Sequence, residues 1–196
     1  MINTTMNISE QKILLDSLVY SLSLKDPYTS THSLEVSDIA FNIASKLNLP
    51  PDTIECITMA SKVHDIGKIG IPLEILVKPG RLNDEEYALI KTHPMIGFNI
   101  ISRIPLDYPI ATIVSQHHER LDGSGYPYGL TNDEILLESK IVAVADVTHA
   151  LVSHRPYRPS KGVEYTINEL NKYKGTELYS DAVECAIEYL LNLQIE

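Results

Sequence analysis

Apolar residues recur at steps of three and four along nearly all of the 196-residue chain, and no segment alternates apolar and polar positions. That pattern restricts the chain to packed helices, because a helix face repeats about every 3.6 residues and a strand face every second residue. Ile13, Leu14, Leu18 and Leu22 follow Ser9, which is placed to cap a first helix. A second stripe runs through His32, Val36, Ile39, Ile43 and Leu47 until Pro50 and Pro51 interrupt it. Asp52 with Glu55 reads as the cap of a third helix, whose face is Ile54, Ile57, Ser61 and His64 and which stops near Gly67. Asn83 with Glu86 predicts a short helix toward Lys91, and Pro94 suits the first turn of another, running through Ile104. Ile110, Ile113, Val114 and His117 mark the next. Residues 119–132, with Gly123, Gly125, Pro127 and Gly129, form a loop. Helices around Lys140 to Ser153, after Ser160 and after Ser180 complete an all-α chain, expected as a single compact helical bundle.

Charge narrows the partners. Twenty-six acidic against 16 basic residues give a net charge of -10, which disfavours a DNA or RNA polymer or a membrane surface. A small anion is still admitted if metal ions or a few placed cations meet it. Cys56 and Cys185 lie far apart in apolar helical contexts and read as reduced thiols. No apolar run approaches the roughly 20 residues that span a bilayer, and the N-terminus lacks a basic segment followed by an apolar one. The cytoplasm is the expected compartment.

Histidines and aspartates sit at the apolar edge of these stripes. His32 begins one, His64 ends another and His117 ends a third. His64-Asp65 and His117-His118 are adjacent pairs, each able to flank one cleft. Asp146 lies within the apolar run IVAVADV, where an unpaired carboxylate would cost several kcal/mol, on the order of a buried ion's desolvation. A cation is the natural partner. Imidazoles with carboxylates and no thiolate suit iron, manganese or zinc, and differ from the cysteine-rich structural zinc sites.

HDIGKIGIP at 64–72, KTHP at 91–94, HHERLDGSGYP at 117–127, VADV at 144–147 and RPYR at 155–158 occur in one order, with DPYTSTHS at 26–33 upstream. On these motifs the chain resembles HD-GYP domains of the HD phosphohydrolase superfamily, over about Asp26 to Gly175. The resemblance implies an all-helical, metal-dependent domain over residues 26–196, with residues 1–25 as a helix packed on it. It implies hydrolysis of the messenger cyclic di-GMP by a metal-bridged hydroxide, ending at linear pGpG or, after a second cycle, at GMP. It also implies His32, His64, Asp65 and Asp146 as ligands of the general site, and His93, His117 and His118 as ligands of a second ion, with Asp65 bridging. Some members carry a carboxylate four residues before the first His and bind a third ion. Here that position is Tyr28, whose phenol, with a pKa of about 10, is a poor ligand. Two divalent ions are therefore expected, Fe or Mn first, with Zn, Ni or Co as alternatives.

The same resemblance assigns Asp65 and Lys68 to catalysis. Lys68, one helical turn from His64, polarises phosphate or protonates the leaving group. On its own it reads as a helix-terminal lysine favoured by the macrodipole. Arg155 and Arg158 match substrate phosphate or guanine contacts, or else are loop surface charge. Tyr126 belongs to the GYP loop, which touches substrate or docks a GGDEF-domain cyclase. Glu119 and Asp122 are either acceptors for the ligating histidines or solvated loop charges. His149 and His154 are read as helix-surface or helix-end residues; an Asp is usual at the position of His149. With no sensor domain expected on the chain, regulation falls to partners, expression or metal oxidation state. Two other readings stand beside the first: a related enzyme for another cyclic dinucleotide, and a cyclic di-GMP binding module with little turnover.

Overall fold

The computed structural model describes residues 6–153 and 162–193, apart from the side chains of residues 27, 28 and 30. Among the described residues the chain forms ten α-helices and two short 3-10 helices, and its extended pairing is limited to the isolated bridges Asp122–Thr131 and Lys174–Leu178. The helices are α1 (Ile8–Ser23), α2 (Pro27–Lys46), α3 (Pro51–Val63), α4 (Leu73–Leu76), α5 (Asp84–Ile90), α6 (His93–Ile101), α7 (Ile110–Gln116), α8 (Leu137–Val152), α9 (Val163–Tyr173) and α10 (Ser180–Asn192). The all-α expectation holds.

Local chemistry sets most of the helix ends. Asn7, rather than Ser9, caps α1: its side chain accepts the Glu10 N–H at 3.0 Å and the Glu10 carboxylate accepts the Asn7 N–H at 2.8 Å. Asn83 and Glu86 make the same reciprocal pair at the start of α5, as their spacing predicts. Asp52 is not a cap; α3 begins at Pro51, and Asp52 faces the helix dipole from inside the first turn. α6 stops at Ile101, short of Ile104, because Pro105 drives the preceding residue out of helical geometry.

α2, α3 and α8 form the centre. α2 packs against α1, α3, α8 and α10, and α8 also meets α3, α7, α9 and α10. Being surrounded, α8 is apolar on most of its faces, and Ile141, Val142, Val144 and Ala145 have no exposed surface. Opposite them lie Val36, Ala40, Ile43, Ile57 and Ala60, also wholly buried. Each buried branched side chain stabilises by about 1.5–3 kcal/mol. The mutual placement of these three helices is thus the part of the molecule most costly to disturb.

Two polar anchors tie the periphery down. The Gln116 side-chain oxygen on α7 accepts from Leu136 N and Ser139 Oγ, both at 3.0 Å, and so caps α8 from a neighbouring helix. Lys25, just past α1, donates to the carbonyls of Ile69 at 2.7 Å and Ile71 at 2.5 Å, holding the 3-10 helix Ile66–Gly70 against the end of α1.

Candidate metal centre

Three histidines stand where one helix ends. His64 follows α3, His117 follows α7, and His93 opens α6 just after α5 ends at Ile90. Each ring folds back so that Nδ1 meets the carbonyl three residues earlier, at Ser61 (2.7 Å), Val114 (2.6 Å) and Ile90 (2.7 Å). These carbonyls belong to helix ends, which leave such acceptors without intrahelical partners. A carbonyl only accepts, so Nδ1 donates and each Nε2 is left as a lone pair facing inward.

The inward atoms converge. His93 Nε2 and His117 Nε2 are 3.3 Å apart, and together with His118 they form one group whose ligand atoms all lie within 4.8 Å of one another. His32, His64 and Asp146 form a second such group, and His64, Asp65 and His117 a third that links them. His32 comes from α2 and Asp146 from α8; His32 Nε2 stands 3.1 Å from Asp146 Oδ1. Asp146 also approaches His64 and His118, at 4.0 Å each.

Asp65 sits between the groups. Its Oδ2 faces His64 Nε2 at 3.3 Å and His32 Nε2 at 3.6 Å, whereas Oδ1 faces His93 Nε2 at 3.3 Å. Gly67 makes this closeness attainable. A Cβ there would lie 1.9 Å from the His93 carbonyl oxygen and 2.6 Å from Gly97 N, so only glycine lets the segment after Asp65 press against the start of α6.

Electrostatics keep these groups ready for a cation. Burial acts to raise the Asp65 carboxyl, but Lys68, His64 and His93 outweigh it and hold the group well below the usual carboxylate range. Burial likewise opposes ionisation of Asp146, and the surrounding imidazoles, His32 first and then His64 and His118, hold it low. Burial and neighbouring imidazoles push His117 and His118 well below the usual histidine value, and burial brings His93 to about 4. His64 is raised: burial lowers it, yet Asp65 and Asp146 together prevail.

His64 Nε2 is fully buried and has no hydrogen-bond partner among the described residues. An unsatisfied buried acceptor costs about 1–3 kcal/mol. A cation held by His64, Asp65 and their neighbours would remove that cost and separate the facing lone pairs of His93 and His117. The residues present therefore fit divalent metal, with a donor set of imidazole and carboxylate and neither Cys56 nor Cys185 among the clusters.

All seven ligand candidates read from sequence, His32, His64, Asp65, His93, His117, His118 and Asp146, fall in this one cluster. Lys68 is here too, with one geometric correction. α3 ends before it, so Lys68 is not on a continuous helix with His64 but lies in the 3-10 segment, where its Nζ reaches Asp65 Oδ2 at 2.6 Å. Tyr126 lies against His118 with ring centroids 4.7 Å apart, and Lys91 Nζ stands 5.7 Å from its ring centre. Burial raises its phenol far above the usual value, so it remains protonated. Arg155, Arg158 and His154, and the Tyr28 side chain, lie outside the described residues.

Glu119 and His149 differ from expectation, and Asp122 keeps to one of its two readings, an exposed loop charge. Glu119 is buried, yet it accepts from no histidine; its two oxygens take the N–H groups of Tyr128 at 2.7 Å and Leu130 at 2.9 Å, fastening the GYP loop. Asp122 instead accepts from Ser124 N and Oγ within that loop. His149 is not a surface residue: it is 4% exposed and its Nδ1 lies 2.6 Å from His32 Nδ1. Its spacing from Asp146, three residues along α8, was the signal for a shared face.

A profile of the HD domain family matches residues 17–183. The chain is 42% identical over 174 residues to a cyclic di-GMP phosphodiesterase of Thermotoga maritima, covering 88% of this chain and 46% of that protein. It is 39% identical over 144 residues to the 3′3′-cGAMP-specific phosphodiesterase 1 of Vibrio cholerae, covering 74% of this chain and 33% of that one. Among solved structures it is similar to Bd1817, a HDG"Y"P protein from Bdellovibrio bacteriovorus, with a TM-score of 0.74 at 19% identity, over 94% of this chain and 65% of that chain. The fold and the clustered histidines and aspartates define a member of the HD domain family, to which this chain belongs. Within it the chain is of the HD-GYP type. It spans less than half the length of the two curated relatives.

Proposed function

We propose that this chain is a metal-dependent phosphodiesterase that opens cyclic di-GMP to linear pGpG, with GMP as the product of a second cycle if hydrolysis continues. The observation that carries the reading is the convergence of buried imidazoles and two carboxylates around the unpartnered His64 Nε2. Two divalent ions, Fe or Mn, are the fitting complement, with Asp65 offering one oxygen to each group. When bound, such a pair neutralises phosphoryl oxygens and makes water a stronger nucleophile near neutral pH.

The chain's own residues do the rest. His32, His64 and Asp146 hold one position; His93, His117 and His118 hold the other; Asp65 fixes their separation. Lys68, 2.6 Å from Asp65 and partly exposed, keeps that carboxylate ionised and supplies a proton for the departing 3′ oxygen. Tyr126 lies against His118 at the edge of the centre and is placed to contact a base. Arg155 and Arg158 are assigned to phosphate or guanine by their place in the RPYR motif. Residues 26–196 carry the enzyme in this reading, with residues 1–25 as its docked helix. The GYP loop, with Tyr128 half exposed, is the surface for a GGDEF-domain partner.

A second reading, another cyclic dinucleotide as substrate, is favoured by the 39% identity to a 3′3′-cGAMP-specific enzyme. One experiment tests both. Anaerobically purified protein is analysed for metal, then given cyclic di-GMP and 3′3′-cGAMP, and products are separated chromatographically. Two ions per chain and pGpG from cyclic di-GMP are expected. Faster turnover of 3′3′-cGAMP establishes the second reading. A metal-loaded protein that binds cyclic di-GMP and hydrolyses neither substrate refutes the enzyme reading in favour of a binding module.

A further inference from the structure

His32 and His149 touch through their Nδ1 atoms at 2.6 Å, and His149 Nε2 lies 2.5 Å from Glu35 Oε2. Glu35 follows His32 by three residues on α2, and His149 follows Asp146 by three residues on α8. Each of these two packed helices thus brings one group to the centre and one behind it. The His149 side chain is 5% exposed and that of Glu35 55%, so the contact runs from solvent to the buried centre.

Proton counting gives the contact a direction. A carboxylate only accepts, so His149 Nε2 donates to Glu35. A neutral His149 then has a bare Nδ1. Two bare or two protonated nitrogens cannot share 2.6 Å, so His32 Nδ1 donates to His149. A neutral His32 in turn has a bare Nε2, which faces Asp146 Oδ1 at 3.1 Å. Two acceptors so placed are complementary to a cation between them.

We propose that Glu35 and His149 form a positioning relay that fixes the Nδ1–H tautomer and the ring orientation of His32, and thereby presents its Nε2 to the metal centre. The inference rests on the proposed metal centre and deepens it: for His64, His93 and His117 a backbone carbonyl does this work, and for His32 the work falls to two side chains. Partners of this kind typically change metal affinity by about 10–100-fold.

The test has a readout free of metal. Long-range 1H–15N spectra of the apo protein report which ring nitrogen of each histidine carries the proton, and Mn(II) titration reports affinity. Wild type is expected to show His32 protonated on Nδ1 and His149 on Nε2. His149→Leu should shift His32 toward the Nε2–H form and weaken Mn(II) binding by about 10–100-fold. His149→Asn, which restores an acceptor oxygen near Nδ1, should recover part of the loss. Glu35→Ala, at an exposed position that leaves the fold intact, should shift affinity the same way by less. An Nε2–H tautomer of His32 in wild type, or a Glu35→Ala protein unchanged in both readouts, overturns the relay. If the expected tautomers are seen but wild type binds no Mn(II), the metal reading fails and the hydrogen-bond relay stands.

Discussion

Gly67→Ala is the sharpest test of how the centre is assembled. The new Cβ would meet the His93 carbonyl oxygen at 1.9 Å, and no real Cβ contact falls below 3.0 Å, so the two backbones must separate by about 1 Å. The obstacle is backbone on both sides, which cannot swing away as a side chain does. Overpacking of this kind costs about 1–3 kcal/mol, and for a chain of this size each kcal/mol lowers Tm by about 2–4 °C, giving a fall of roughly 2–12 °C. The same displacement draws His93 away from Asp65, now 3.3 Å distant, and a misplacement of about 1 Å can cost on the order of 100-fold in rate. Calorimetry, metal analysis and turnover should therefore all fall together. Gly70→Ala is the control, because its Cβ meets only the Ile96 side chain, at 2.9 Å, and should leave metal content near that of wild type. If Gly67→Ala melts and turns over like wild type, the close approach that joins His93 to Asp65 is wrong.

Asp65→Asn should abolish turnover and lower bound metal, measured by elemental analysis beside product chromatography, since one neutral amide replaces the carboxylate shared by both groups. Glu119→Gln should loosen the GYP loop by replacing a carboxylate that holds two N–H groups. Loss of a charged hydrogen bond is worth about 1.5–3 kcal/mol, read as a lower Tm with KM rising more than kcat falls. Burial raises the Cys56 thiol to about 12, so in the native protein at pH 8 a disulfide reagent should modify Cys185 first and reach Cys56 only on unfolding, as peptide mass spectrometry would show.

Much of the centre was legible in one dimension because its ligands carry motif spacing and sit at helix ends. His64 and His117 close apolar stripes, and Asp146 is an isolated carboxylate in an otherwise apolar run; each is costly where it stands unless something positive meets it. The misjudged residues are those whose partner is brought to them by the course of a loop or by the packing of two helices. Glu119 read as an acceptor for the histidines or a loop charge, because the sequence does not reveal that the N–H groups of Tyr128 and Leu130 fold back onto it. His149 looked peripheral because its partner His32 lies 117 residues away.

The sequence by itself determined the all-α class and the reciprocal Asn83–Glu86 cap, because helix period and capping act over a few residues, and its motif strings named the metal-ligand candidates through the resemblance they carry. Tertiary structure alone decided that Gln116 caps α8 across a helix boundary, that Gly67 brings Asp65 up to His93, and that His149 stands behind His32. Each of those depends on the distance between two backbones that no run of local helix geometry connects. That distance is set by how the cores of α2, α3 and α8 fill space, a property that no local pattern contains.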